Sequence, residues 1–155
     1  MESNVRVVAP EVFMEQLPEL LQLTDSVPLV ISGNSMIPFL VHRRDTVYLS
    51  KVTKPPKRGA VVLYQRESGA YVLHRIYRKR NGLYDLVGDA QQEIETSIRP
   101  DQIMAEVKAV RRNGRLLRRG SLCWLFYEKI WLSLLPFRPL IGRVYSCMKA
   151  WRNDK

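Results

Sequence analysis

Residues 71–87 read YVLHRIYRKRNGLYDLV, and this stretch decides the fold class. Two runs rich in β-branched, aromatic and aliphatic residues, 71–77 and 83–87, flank a short turn that contains Asn81-Gly82. Both residues of an Asn-Gly pair tolerate a positive φ angle, which the tight turn of a β-hairpin requires. The stretch therefore predicts two antiparallel strands joined by a hairpin.

The strand-and-turn pattern continues on both sides of this hairpin. Asn113-Gly114 repeats the turn signal, and Ser68-Gly69 and Lys54-Pro55-Pro56 mark further turns. Many short strands joined by hairpins are typical of an antiparallel sheet that curls on itself. We therefore predict a mainly β fold, with a curled sheet or partial barrel. The predicted strands are residues 28–32, 46–51, 60–64, 71–77, 83–87 and 104–111.

Helical patterns flank the predicted sheet. A proline in the first turn is typical of a helix start, so Pro10 is expected to open a short N-terminal helix, and Pro18 to break it in two. After Gly120 the apolar pattern becomes helical again. The sequence thus predicts a β domain over residues 1–119 and a basic, apolar helical tail over 120–155.

Charge is distributed unevenly along the 155 residues. The chain has 25 Lys and Arg against 15 Asp and Glu, and 12 of these bases but only two of the acids lie after residue 107, so the net charge of +10 resides in the last third. An apolar content of 46 % excludes a wholly disordered chain. Two cysteines are too few for a zinc cluster or a multiply bridged secreted scaffold.

Residues 120–137 would form a helix that is apolar almost all round. Such a helix must be buried or must meet lipid, but Glu128-Lys129 and Pro136 argue against a full membrane span. Aromatic residues beside arginines are typical of a helix that lies on an anionic membrane surface. Docking on the core and a homodimer interface are the alternatives. The predicted membrane-contacting residues are Trp124, Phe126, Tyr127, Trp131 and Leu134.

The N-terminal residues lack the features of a secretory signal. Met1 to Asn4 carry no basic residue, and Glu11, Glu15 and Glu19 interrupt the apolar residues that follow. We expect a cytoplasmic protein that meets a membrane, if at all, peripherally through residues 111–152.

Three short segments carry residues that are capable of chemistry. Ser35 lies in a Gly-Asn turn after an apolar strand, where free backbone N–H groups would flank an exposed hydroxyl. His74 shares a strand face with aliphatic residues, which favours a neutral imidazole that can act as a base. Asp89 follows Gly88 at a strand end, from which its carboxylate could orient His74. Taken singly, a turn serine, a core histidine and a turn-closing aspartate are the commoner origins of these patterns.

Taken in order, the segments resemble the signal peptidase and LexA-like serine peptidase superfamily. Residues 32–38, SGNSMIP, match its Ser-Gly-x-Ser-Met-x-Pro nucleophile box at every fixed position. Residues 73–76, LHRI, are similar to the box of the endoplasmic-reticulum type of signal peptidase, in which a histidine replaces the usual lysine base. Gly88-Asp89 corresponds to a later Gly-Asp of the family. The resemblance covers about residues 28–112 and implies Ser35 as nucleophile, His74 as base and Asp89 as the acidic residue.

Two departures from the family affect the expected site. Arg44-Asp45 and Gly59-Ala60 replace two Gly-Asp strand starts, and the N-terminal membrane helix of most signal peptidases is not predicted here. Gly33 stands where many signal peptidases have a serine that binds the oxyanion, so backbone N–H groups would do more. The expected oxyanion-hole and substrate-binding residues are Gly33, Asn34, Met36 and Pro38.

The resemblance predicts a serine endopeptidase that cleaves an extended precursor or leader peptide at small residues. An unperturbed histidine titrates near about 6.5, so activity is expected to fall as His74 is protonated below that pH. No metal or organic cofactor is predicted, because metal-ligand spacings and a phosphate-binding glycine loop are missing from the sequence. The alternative is a non-catalytic binding module whose basic tail holds an anionic partner, either a membrane or a nucleic acid. The dense aromatic residues of the tail disfavour nucleic acid.

Overall fold

The computed structural model describes residues 10–141, in which an open antiparallel sheet of eight strands dominates. The strand order is β1-β2-β7-β3-β4-β5-β6, and β8 pairs with β7. The mainly β fold with a short N-terminal helix and helices at the C-terminal end is confirmed. The strands are β1 (Val27–Val30), β2 (Asp45–Ser50), β3 (Val61–Gln65), β4 (Tyr71–Arg80), β5 (Leu83–Val87), β6 (Glu95–Ile98), β7 (Ile103–Arg112) and β8 (Arg115–Arg118). The helices are α1 (Pro10–Leu23) and α2 (Leu122–Leu125), with a π-helix over Phe126–Trp131 and 3-10 turns at Pro100–Gln102 and Leu135–Phe137.

Both Asn-Gly pairs form the predicted hairpin turns. Asn81 and Gly82 have φ angles of 49° and 81° between β4 and β5, and Asn113 and Gly114 have 48° and 76° between β7 and β8. Two strands, β6 and β8, were not predicted. Neither alternates clearly between apolar and polar residues, and each pairs with a longer neighbour that supplies the buried side chains.

The N-terminal helix is continuous through Pro18, which corrects the expectation of two pieces. Met14, Leu17 and Leu21 recur at helical spacing and are buried in the core. Pro18 is exposed on the other side, where the loss of one backbone donor is tolerated because the buried face holds the helix in place.

The sheet separates two hydrophobic clusters, and β3 contributes to both. Val61 and Leu63 pack with α1, β1 and β2 on one face, whereas Val62 and Tyr64 pack with β4 and β5 on the other. Successive residues of a strand point to opposite faces, and here both faces are covered. Val62 pairs with His74, which places the imidazole on the Tyr64 side of the sheet.

Residues 121–141, here called the C-terminal segment, pack against the rest of the protein with three of their aromatic side chains. Trp124 is only 1 % exposed and lies edge-on to Phe39, and Tyr127 packs on the same ring. The indole of Trp131 donates a hydrogen bond into the protein, and Leu134 is half-buried. Trp124, Tyr127 and Trp131 therefore lie on the face of the segment that is turned toward the core, where their large rings bury apolar area.

The outer face of the C-terminal segment carries different apolar residues. Leu122, Phe126 and Ile130 follow one another at intervals of four and are 87 %, 41 % and 53 % exposed. Of the five predicted membrane-contacting residues, Phe126 is the one that belongs to this row. No helix within residues 10–141 has the length and hydropathy needed to cross a bilayer.

Candidate active site

Ser35 lies in a tight turn that leads from β1 into the core. Gly33 opens the turn with a φ angle of +96°, and the Ile37 N–H closes it on the carbonyl of Asn34 at 3.2 Å. Met36 is 3 % exposed and anchors the turn in the core below, so Ser35 is held half-buried at the surface.

Ser35 and His74 line the same pocket, which has a volume of about 270 Å³. One wall is formed by residues 31–33, which follow β1, and the other by residues 71–74 of β4. The two side chains are not hydrogen-bonded to each other in this structure. The fold thus brings the predicted nucleophile and the predicted base, 39 positions apart in the sequence, to one cavity.

The imidazole of His74 is almost fully buried, with 1 % of its surface exposed. Burial lowers its pKa to about 4, and the nearby guanidinium of Arg66 acts in the same direction against the attraction of Glu95. His74 is therefore neutral at physiological pH. Protonation of His74 therefore begins well below the pH of about 6.5 at which an unperturbed histidine titrates.

A carboxylate and a phenol surround the Nδ1 atom of His74. The Tyr64 hydroxyl lies 3.2 Å from Nδ1, and Oε1 of Glu95 lies 3.4 Å from it. Burial opposes ionisation of Glu95, but hydrogen bonds from Arg66 and Tyr64 outweigh it and lower the pKa of Glu95. Burial and the Glu95 carboxylate raise the pKa of Tyr64, so the phenol keeps its proton.

The number of protons in this network determines the tautomer of His74. Tyr64 has one hydroxyl proton, which it donates to Oε2 of Glu95 at 2.6 Å. Nδ1 of His74 then faces two acceptors, the phenolic oxygen and the carboxylate, and must carry the ring proton. The lone pair is left on Nε2, which is buried and has no hydrogen-bond partner among residues 10–141. A neutral imidazole with a free Nε2 lone pair is the form that acts as a general base.

Asp89 lies apart from this network, which corrects the expectation that it orients His74. Its Oδ1 accepts a hydrogen bond from Arg75 Nε at 2.9 Å, and its Oδ2 one from Arg75 Nη2 at 2.6 Å. Both side chains are fully buried. Neighbouring residues of a strand point to opposite faces, so Arg75 carries Asp89 to the side of β4 opposite His74. Asp89 is a buried ion-pair partner, and Glu95 occupies the place beside the imidazole.

The expected oxyanion-hole residues divide into three groups. The Gly33 N–H donates to Nδ1 of His42 at 3.1 Å, and so it is already engaged. Asn34 and Pro38 are exposed and do not line the pocket, whereas Met36 does. The Ser35 N–H makes no hydrogen bond to another residue of the described part of the chain, which leaves it available for an anionic oxygen.

Sequence reasoning missed Tyr64, Arg66 and Glu95. Tyr64 had a usable signal, because the turn at Ser68-Gly69 fixes the register of β3 and β4 and so places Tyr64 on the face of His74. Glu95 had none, since the strand β6 that carries it shows no strand pattern. Comparison with protein-family models and with curated proteins finds no match for this chain.

Proposed function

We propose that the protein is a serine peptidase that works through an acyl-enzyme, with Ser35 as nucleophile and His74 as general base. The observation that carries the proposal is the state of His74, which is neutral and buried, has an unpartnered Nε2 and lines the same pocket as Ser35. An unpaired buried polar atom destabilises a fold, and three side-chain atoms of the described residues are in this state, Nε2 of His74, Nε1 of Trp124 and Nε of Arg138. Of these three residues, His74 is the one that lines the pocket of Ser35.

The proposed reaction begins when Nε2 of His74 accepts the hydroxyl proton of Ser35. The Ser35 oxygen forms a bond to the carbonyl carbon of the substrate, and the Ser35 N–H stabilises the resulting oxyanion. His74 is now positively charged, and the Glu95 carboxylate close to Nδ1 stabilises it. The imidazolium then protonates the departing amine as the peptide bond breaks, and water, deprotonated by His74, releases the acyl group.

An extended peptide is the substrate shape that fits the pocket walls. Strand β1 pairs on one side only, with β2, and residues 71–74 of β4 pair only with β3, because pairing with β5 begins at Arg75. Within the described residues, the unpaired edge of β4 therefore borders the pocket, and the unpaired edge of β1 leads into the segment 31–33 that forms its other wall. Main-chain groups of an edge bind an extended segment by β-strand addition. The modest pocket volume favours small side chains at the cleaved bond.

A partner of the proposed peptidase is an anionic membrane surface. The outer row of the C-terminal segment, Leu122, Phe126 and Ile130, exposes apolar side chains on a chain whose whole excess of positive charge lies in its last third. Apolar residues that enter the headgroup region and cations that pair with lipid phosphates are the two components of interfacial binding. Residues 142–155, which were also predicted to contribute, lie outside the described residues.

The proposed activity is tested with a fluorophosphonate probe and a library of peptides with small residues. We expect wild-type protein to be labelled and to cleave, and both Ser35→Ala and His74→Ala to lose at least about 10³-fold in rate. Ser26→Ala, at a serine outside the pocket, is the matched control and keeps full labelling. Labelling that survives in Ser35→Ala, or an unlabelled wild type that cleaves nothing in the library, contradicts the proposal.

A further inference from the structure

The loop that follows β5, residues 88–91, is held in place by the C-terminal segment. The Trp131 indole N–H donates to the carbonyl oxygen of Asp89 at 3.0 Å. Nη1 of Arg138 donates to the carbonyl oxygens of Gly88 and Gln91 at 2.9 and 2.8 Å. Three of the four loop carbonyls thus accept a hydrogen bond from two side chains that are more than 40 positions further along the chain.

The same loop contacts the nucleophile turn. The Ala90 N–H donates to the carbonyl oxygen of Ser35 at 2.9 Å. A Cβ atom on Gly88 would lie 2.5 Å from that oxygen, so only glycine allows the loop to approach the turn this closely. Gln91 lines the pocket together with Ser35. The position of the Ser35 backbone therefore depends directly on the position of the loop.

The way in which Arg138 is buried indicates that this arrangement is specific. Its side chain is 5 % exposed, and its guanidinium also lies 5.2 Å from the Trp131 ring. Burial of a guanidinium is unfavourable unless its donors are used. Here Nη1 donates to two loop carbonyls and Nη2 to the carbonyl oxygen of Trp131 at 3.3 Å, whereas Nε has no partner among the described residues. Leu132 and Leu135 pack on Val87, the last residue before the loop, and fix the backbone that carries both donors.

We infer that Trp131 and Arg138 are positioning residues for the nucleophile: through loop 88–91 they hold Ser35 at the pocket. The expected effect on reaction rate rests on the proposed peptidase activity. The expected effect on the position of loop 88–91 does not depend on that activity. A shift of the reacting groups by about 1 Å can lower a rate by about 10²-fold. Substitutions that remove the hydrogen bonds from Trp131 and Arg138 to the loop carbonyls are expected to lower kcat more than they raise KM. The strand edges proposed to bind the substrate are not changed by these substitutions.

The chain offers a matched pair of tryptophans for the test. Trp131→Phe removes an indole N–H that binds the loop, whereas Trp124→Phe removes one that has no partner among the described residues. Both lie in the C-terminal segment, and both replacements leave a smaller aromatic ring. Arg138→Lys is the third variant, since it keeps the charge and loses the planar fork that reaches two carbonyls.

The experiment measures fluorophosphonate labelling of Ser35 and, in the same samples, hydrogen exchange of the Ala90 amide, with thermal melts as a check of folding. We expect Trp131→Phe and Arg138→Lys to label between about 10-fold and about 10²-fold more slowly and to exchange Ala90 faster. Trp124→Phe should keep the wild-type labelling rate and Ala90 exchange, whatever its melting temperature.

The two readouts separate failure of this inference from failure of the proposed function. If wild type is labelled and the two variants label at its rate, the inference is wrong and the peptidase stands. If wild type is not labelled, the proposed function fails, and Ala90 exchange alone decides whether the two side chains hold the loop against the Ser35 turn. Equal Ala90 exchange in all four proteins overturns the inference in either case.

Discussion

His74 is the residue whose surroundings determine the pH range of the proposed reaction. With a pKa lowered to about 4 by burial, the imidazole is still mostly neutral at pH 5. We expect kcat/KM to stay level from about pH 7 to about pH 5 and to halve near about pH 4. The check is a pH–rate profile on folded protein, and an acidic limb centred near about 6.5 would show that His74 is not the buried base described above.

The same shift makes the fold sensitive to acid. The unfolded chain binds a proton at His74 near about 6.5, whereas the folded protein does so only near 4. The contribution of His74 to the free energy of unfolding is therefore fully present above about pH 6.5, and it is lost as the pH falls toward 4. At about 1.4 kcal/mol per pH unit, the loss is on the order of 3 kcal/mol, and denaturant titrations at several pH values accompany the rate profile for this reason.

Glu95 lies beside His74 in the place expected for Asp89, and substitution separates the effects of the two carboxylates. Asp89→Asn leaves the buried Arg75 without a counter-charge, and we expect a loss of about 3–5 kcal/mol in the free energy of unfolding. Glu95 is part-exposed, so Glu95→Gln should lower kcat by at least about 10²-fold with a smaller loss of stability. Chemical denaturation and peptide cleavage measure the two effects. A stable but inactive Asp89→Asn beside a fully active Glu95→Gln would restore the original assignment.

At the scale of single elements, the C-terminal segment carries the prediction for membrane binding. Leu122→Glu with Ile130→Glu places two charges in the outer row and removes apolar side chains whose burial is each favourable by about 1.5–3 kcal/mol. We expect wild-type protein to sediment with phosphatidylglycerol vesicles and the double variant to bind at least about tenfold more weakly.

The control for this experiment is Leu23→Glu, because Leu23 is 81 % exposed at the end of α1 and lies outside the C-terminal segment. It should bind vesicles as wild type does, and added salt should weaken both. If the double variant binds vesicles as strongly as wild type does, the outer row of the C-terminal segment does not contact the membrane. Absence of vesicle binding together with a dimer that the double variant dissociates would identify a second copy of the chain as the occupant instead.

Elements with strong local signals were predictable from the sequence, and elements defined by their neighbours were not. The Asn-Gly hairpins and the six apolar strands follow from turn chemistry and periodicity. Strand β6 (Glu95–Ile98) is held by pairing with β5, and the continuity of α1 through Pro18 depends on the burial of Leu17 and Leu21. Tertiary packing overrode the local preference in both cases.

For the whole molecule, the same distinction explains which part of the site could be predicted. Ser35 and His74 were found because each stands in a recognisable local pattern, and the fold places both at one pocket. The partner of His74 could not be found in this way, since Asp89 and Glu95 are six positions apart and only the faces of β4 distinguish them. The choice of carboxylate beside His74 is determined by the pairing of the strands and by the face of β4 on which the side chain lies.

The contacts of residues 88–91 have a practical consequence for anyone who shortens this protein. The last strand, β8, ends at Arg118, so Gly120 is an obvious position at which to truncate the chain. A stop codon at that position would also delete Trp131 and Arg138, and three loop carbonyls would turn to water instead. A fragment used to test the proposed activity must therefore be longer than the sheet and extend at least through Arg138, so that it keeps the contacts that hold the loop beside Ser35.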